Sequence, residues 1–163
     1  MNVIIREYTE PDLPAMMEIW NEIVERGVAF PQIESLSRNE ALHFFAEQSF
    51  TGVAVNEGLG EILGLYILHP NNIGRCGHLA NASYAVKETA RNLNIGEKMV
   101  KHSLVKAKEL GFKILQFNAV VKTNASAIHL YEKLGFIKLG VIPGGFLLKD
   151  GTFEDIIPFY RAL

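Results

Sequence analysis

The stretch from Leu79 to Val121 constrains the fold of this chain more than any other. Leu79 to Val86 reads as a strand. The polar turn Arg91-Asn92-Leu93-Asn94 follows, and Ile95 to Leu110 then carries the clearest helical pattern in the sequence. Ile95, Met99, Val100, Ser103, Leu104, Ala107 and Leu110 fall on one face at helical spacing, while Lys98, Lys101, Lys106 and Lys108 fall elsewhere. Gly111 supplies a C-terminal stop. Ile114 to Val121 is a near-continuous apolar run, which predicts a strand buried on both faces. A strand, a helix and a strand in that order make a βαβ unit, for which a right-handed crossover is expected.

The remaining elements surround this unit. Val3 to Tyr8 is β-branched and apolar and reads as a strand. Thr9-Glu10-Pro11-Asp12 opens a helix whose buried face is Leu13, Met16, Met17, Trp20, Ile23 and Val24, with Gly27 ending it. Val28 to Leu36 reads as a loop. Ser37-Arg38-Asn39-Glu40 is a second capping box, before a helix with Leu42, Phe45 and Ala46 inward. Phe50 to Asn56 and Glu61 to Leu68 form an antiparallel hairpin through Glu57-Gly58-Leu59-Gly60. Asn124 caps a short helix that runs to Leu134 and ends at Gly135. Phe136 to Val141 and Phe153 to Arg161 read as closing strands. The class is α/β, with antiparallel strands first and a mixed, partly parallel centre.

Composition narrows the function. At 163 residues the chain is expected to be one domain. Sixteen Lys and Arg against 18 Asp and Glu leave a net charge of −2, which argues against a nucleic-acid binder with a basic footprint. No stretch reaches the roughly 18 apolar residues that span a bilayer, and Met1 to Glu7 has too short an apolar run for a signal peptide. Cys76 is the single cysteine, so no internal disulfide forms, in keeping with a cytoplasmic location. His43, His69, His78, His102 and His129 show no metal-ligand spacing, and no metal is expected.

Two segments carry chemistry. The turn at Arg91 to Gly96 feeds the long helix, whose first N–H groups and dipole make an anion site suited to a diphosphate. Gly96 allows close backbone approach, and Asn94 tolerates a left-handed conformation. On its own this is also what an ordinary strand-to-helix turn looks like. The second segment, Asn124-Ala125-Ser126-Ala127-Ile128-His129-Leu130-Tyr131-Glu132-Lys133-Leu134-Gly135-Phe136, begins 28 residues after Gly96. Together the two segments resemble the GNAT superfamily of acyl-CoA-dependent N-acetyltransferases. Arg91 and Gly96 match the family's first motif. Asn94 departs from it, standing where the family usually has Gly, and Leu130 to Phe136 matches the second motif throughout. Ile5-Arg6, Thr9 to Ala15 and Ile19-Trp20-Asn21-Glu22 look like the family's opening strand and helix, so the resemblance spans essentially the whole chain.

The resemblance implies a fold: a mixed, mostly antiparallel sheet flanked by helices, with a splayed parallel centre, in one N-acetyltransferase domain over residues 1–163. It also implies acetyl-CoA as co-substrate. Backbone N–H groups of Asn92, Leu93, Asn94, Ile95, Gly96 and Glu97, next to Arg91, would hold the diphosphate. The pantetheine arm would pair with the strand edge at Tyr84, Ala85 and Val86. Asn124 is a helix cap that can also face the coenzyme. Tyr131, two turns further along that helix, takes the family role of general acid toward the leaving thiolate.

On the acceptor side, Asn81 and Ser83 share one face of their strand by period-two alternation, and Asn118 interrupts the apolar run Phe117 to Val121. Asn118 is expected to be a buried amide. Asn81 and Asn118 either bond to neighbouring backbone or line an acceptor pocket. The pair resembles the GNAT branch that acetylates small amino acids and analogues, including the phosphinothricin and proline-analogue (azetidine-carboxylate) acetyltransferases. The resulting expectation is acetyl transfer to the amine of a small molecule, directly in a ternary complex. The alternatives are acetylation of a protein N-terminus or lysine, and an idle acyl-CoA-binding module. Glu34 and His78 are the candidate bases. Phe146, Leu147 and Phe159 either form a homodimer face or close the core.

Overall fold

A computed structural model describes residues 1–163. The strands are β1 (Val3–Glu7), β2 (Phe50–Asn56), β3 (Glu61–Pro70), β4 (Leu79–Val86), β5 (Ile114–Val121), β6 (Ile137–Lys138), β7 (Ile142–Leu147) and β8 (Phe153–Ala162). The helices are α1 (Leu13–Arg26), α2 (Arg38–Ala46), α3 (Ile95–Glu109) and α4 (Ala125–Lys133). The sheet order is β1-β2-β3-β4-β5-β8-β6, with β7 also on β8. Every pairing is antiparallel except β4 with β5, which are joined through α3 as the βαβ pattern requires.

Alternation along the strands feeds two cores, one on each face of the sheet. Ile95, Met99, Val100 and Ala107 of α3 pack with Ala80, Ala82, Leu115, Phe117 and Phe159 on one face. Leu13, Met16, Trp20 and Val24 of α1 and Ala41 and Phe45 of α2 pack with Val53, Leu65, Ile67 and Ala85 on the other. Burying one such Leu, Ile or Met contributes about 1.5–3 kcal/mol, so these stripes hold the helices more firmly than helical propensity does. Local signals fix where the helices start and stop. Ser37 and Glu40 form the reciprocal capping box at α2. Asp12 accepts from the Thr9 N–H at 2.7 Å while the Arg6 guanidinium grips it through two bonds, tying β1 to the start of α1. Gly27 ends α1 at φ +64°, in the left-handed region that glycine enters without a Cβ penalty.

Several expectations are corrected. β5 is not buried on both faces: Asn118 is exposed and Gln116 half-buried, because α1 and α2 do not reach across that part of the sheet. On α2, Ala41 and Phe45 are buried, whereas Leu42 and Ala46 are exposed. The closing strand expected over Phe136 to Val141 is only the two residues of β6, and β7 follows as a strand of its own. Phe146 and Phe159 are core residues, and of the three aromatic and aliphatic positions near the C-terminus only Leu147 is exposed. No helix is long and apolar enough to cross a membrane.

Candidate active site

The site begins where the sheet comes apart. β4 and β5 pair only at Leu79 with Ile114 and Ala80 with Leu115, and then diverge. From Asn81 onward the β5-facing edge of β4 has no strand against it. Asn81 stands at the fork, its amide donating to the Gln116 carbonyl of β5 at 2.9 Å. A cleft of about 710 Å3 opens on the α3–α4 side, and a recess of about 160 Å3 opens at the fork. Both are lined by Ala29, Tyr84, Asn124, Ala127 and Tyr131, so the two spaces meet there.

The cleft is floored by the turn into α3. Asn92 and Asn94 have φ of +64° and +60° and are the only non-glycine residues with positive φ in the chain. Left-handed conformations cost a non-glycine residue on the order of 1 kcal/mol and cluster at functional sites. Alternating them along a turn points successive N–H groups to one side, a concavity that holds anions. The first N–H groups of α3 have no intrahelical acceptor and add to it. Asn94 makes no side-chain cap bond, so its backbone conformation, not its amide, shapes the turn. A Cβ on Gly96 would sit 3.7 Å from Leu130 and 3.9 Å from Val86, so glycine clears the groove without being forced by a clash.

Glu97 receives Lys101 at 2.7 Å and Lys133 at 2.6 Å, and these two ammonium groups hold its carboxyl down at about 2. The cluster couples α3 to α4 and leaves one net positive charge at the mouth of the cleft. Arg91 also lines it. An anion is therefore met by N–H groups and cations, and the one carboxylate present is already neutralised.

Two tyrosines face each other at the junction, with ring centres 6.4 Å apart. The Tyr84 hydroxyl is committed to Ser103 Oγ at 2.7 Å, and Ser103 in turn donates to the Val100 carbonyl at 2.8 Å. Tyr131 is held by rings alone: Phe117 at 4.3 Å, Phe136 at 5.6 Å and Phe159 at 6.0 Å. Burial by itself pushes the Tyr131 phenol well above its ordinary value, with no hydrogen bond or neighbouring charge offsetting it. The free hydroxyl at the junction is thus Tyr131. Asn124 caps α4, its side-chain oxygen accepting from the Ala127 N–H at 3.4 Å.

Of the residues expected at the coenzyme, Tyr84, Val86, Arg91, Asn92, Asn94, Ile95, Gly96, Glu97 and Asn124 line the cleft. Two do not. The Ala85 side chain belongs to the α1–α2 core, as strand alternation demands, and Leu93 is exposed beyond the lining. Asn81 and Asn118 both line the recess. Its walls contain no carboxylate and no histidine, and Glu34 and His78 are exposed elsewhere, so neither candidate base stands at the site. Ile23, Arg26 and Ala29 of the cleft, and Phe30 and Pro31 of the recess, were not foreseen. Ile23 and Arg26 come from the last turn of α1, and Ala29, Phe30 and Pro31 from the segment that follows once Gly27 has ended that helix. Arg26 is held there by Glu22 and Glu88 at 2.7 and 2.8 Å.

The profile of the Acetyltransferase (GNAT) family matches residues 5–136. The N-acetyltransferase aca1 of Schizosaccharomyces pombe is 32% identical over 158 aligned residues, which cover 86% of this chain and 76% of that protein. A GCN5-related N-acetyltransferase from Kribbella flavida superposes with a TM-score of 0.91 at 30% identity, over 99% of this chain and 98% of the other. A GNAT superfamily phosphinothricin acetyltransferase from Sinorhizobium meliloti, in complex with acetyl-CoA, superposes with a TM-score of 0.91 at 24% identity, over 100% and 89%. The splayed mixed sheet is the fold of the N-acetyltransferases it superposes on, and this chain belongs to the Acetyltransferase (GNAT) family.

Proposed function

We propose that this N-acetyltransferase moves the acetyl group of acetyl-CoA to the amine of a small molecule, an amino acid or a close analogue, within a ternary complex. The observation that carries the reading is the small recess, walled by the Asn81 and Asn118 amides, that meets the larger cleft at the free Tyr131 hydroxyl. A recess of about 160 Å3 suits a compact acceptor better than a peptide. The residues fit acetyl-CoA: the turn from Asn92 to Glu97 is an anion cradle, and the open β4 edge from Tyr84 to Val86 has free backbone groups for the amides of a pantetheine arm. When bound, acetyl-CoA supplies the thioester carbon that the amine attacks.

The chain's own groups do the rest. A β4 backbone N–H at the fork faces the carbonyl oxygen as negative charge develops on it. Tyr131 holds the proton destined for the departing sulfur. Its raised pKa is no handicap, because a thiolate in the same desolvated cleft is raised in the same sense. Since the recess has no side-chain base, the acceptor amine loses its proton to water. Asn81 and Asn118 orient the acceptor. The reading is supported by the sequence resemblance of the Asn81 and Asn118 strands to the phosphinothricin and proline-analogue enzymes.

Coenzyme A release with a panel of amines tests the reading. Amino acids and their analogues are expected to be the best acceptors, with peptides bearing a free N-terminus or lysine far slower. Turnover confined to peptides overturns the acceptor assignment. Acetyl-CoA binding with no release for any amine shows an idle binding module instead.

A further inference from the structure

Asn71 lies just beyond β3, outside the cleft and the recess, and nothing above gives it a role. Its backbone N–H is pinned to the Leu79 carbonyl at 2.7 Å. Its side chain exchanges two hydrogen bonds with Asn118: Asn71 Nδ2 donates to Asn118 Oδ1 at 3.1 Å, and Asn118 Nδ2 donates to Asn71 Oδ1 at 2.6 Å. Gln116 Nε2 donates to the same Asn118 Oδ1 at 3.2 Å. A carbonyl oxygen has two lone pairs, and both are now filled. Asn118 therefore has no acceptor capacity left, and one N–H remains to offer the recess.

Asn81 is fixed the other way round. One of its N–H groups is used by the Gln116 carbonyl, and its Oδ1 receives no protein donor. The two amides at the fork are chemically the same group, yet the network sets them to different tasks. Asn118 presents a donor and Asn81 an acceptor. With no carboxylate or histidine in the recess, a second cation on the acceptor molecule would find no counter-charge.

We infer that Asn71 is a positioning residue for specificity: through Asn118 it selects acceptors whose amine is accompanied by a carboxylate. This rests on the proposed amino-acid reading and extends it. The carboxylate accepts the remaining Asn118 N–H, and the attacking amine donates to Asn81 Oδ1. In Asn71→Ala one lone pair of Asn118 Oδ1 is freed and the side chain turns without its main partner, so the donor is no longer held toward the recess. Asn71→Asp keeps the shape and still accepts from Asn118 Nδ2, but it cannot donate to Oδ1 and sets a negative charge next to the carboxylate site.

The test compares one α-amino acid with its primary carboxamide, for wild type, Asn71→Ala and Asn71→Asp, measuring kcat and KM for each acceptor, acetyl-CoA Kd and melting temperature. Wild type is expected to favour the acid. Both variants should raise KM for the acid by roughly tenfold or more, the scale of one hydrogen bond to a charged group, with KM for the carboxamide, whose neutral carbonyl accepts the same N–H more weakly, raised much less and acetyl-CoA Kd nearly unchanged. Should Asn71→Ala fold poorly, Asn71→Asp decides the question. A fall shared equally by acid and carboxamide, or no change in either, makes the Asn71–Asn118 pair a structural tie only and overturns the inference while leaving the acceptor reading standing. A wild type that uses neither acid nor carboxamide but does acetylate peptides sinks the acceptor reading and the inference with it.

Discussion

Two phenols 6.4 Å apart show how much a residue's role depends on what its hydroxyl touches. Tyr84 and Tyr131 both have pKa values raised by burial, yet only Tyr84 is tied to a protein partner, Ser103. Tyr131 gives up its proton only when pH climbs past its raised value, so its acid form is complete throughout the neutral and mildly alkaline range. The recess contributes no titrating base. The expected profile follows from both facts: kcat/KM rises with pH up to the acceptor amine's own pKa, then levels without falling before about pH 10, the ordinary phenol value. A pH–rate series with an acceptor of known pKa checks this. An ascending limb fixed near pH 6.5 for every acceptor would reveal a histidine base, a group absent from the recess and present only in the cleft as His129. Tyr131 was legible in the sequence because its surrounding string is local and specific. Asn71 was not: its partner is 47 positions away, and nothing in Pro70-Asn71-Asn72 says more than turn. Asn118 was legible as an oddity in an apolar strand, but its exposure depends on how far α1 and α2 extend over the sheet.

At the scale of elements, the turn into α3 is the proposed cradle for the coenzyme diphosphate. Asn94 occupies the left-handed region at φ +60°, where the usual family residue is glycine. Asn94→Gly reaches the same backbone conformation, so acetyl-CoA Kd is expected within about twofold of wild type and melting nearly unchanged. Asn94→Val meets the left-handed penalty of roughly 1–2 kcal/mol, worse for a β-branched side chain. It should lower the melting temperature by a few degrees, at about 2–4 °C per kcal/mol for a chain of this size, and weaken acetyl-CoA binding along with it. Calorimetric melting and titration of both variants measure this. Weakened binding in Asn94→Gly alone would mean that the amide side chain itself touches the coenzyme. Periodicity made α1, α3, β2, β3 and β4 readable to within a residue or two. β7 was not readable, because Pro143-Gly144-Gly145 is a run of strand breakers. The strand exists there because Gly145 packs against Ile156, where a Cβ would overlap, and because the pairing with β8 is irregular between Ile142 and Phe146.

Across the whole molecule, chemistry is proposed at the one parallel pairing of the sheet, where the two strands part. Six further pairings hold the strands together antiparallel, while β4 and β5 share two residue pairs and then part. Because the fork passes between the α3–α4 face and the α1–α2 face, a coenzyme cleft and an acceptor recess can approach one carbon atom from opposite sides. The βαβ order in the sequence implied a parallel pair, and only the resemblance to a known family implied that it splays. No local pattern marks the residue at which two strands stop pairing. In the proposed mechanism Tyr131 protonates the departing sulfur at the meeting point of these two spaces. The most direct test is single-turnover coenzyme release by wild type and Tyr131→Phe at saturating acetyl-CoA and amino-acid acceptor, with acetyl-CoA Kd measured on both. Release is expected to slow about 10²–10⁴-fold in Tyr131→Phe while Kd stays unchanged, since the ring and its packing on Phe117 remain. Release at the wild-type rate, with chemistry limiting, would contradict this mechanism.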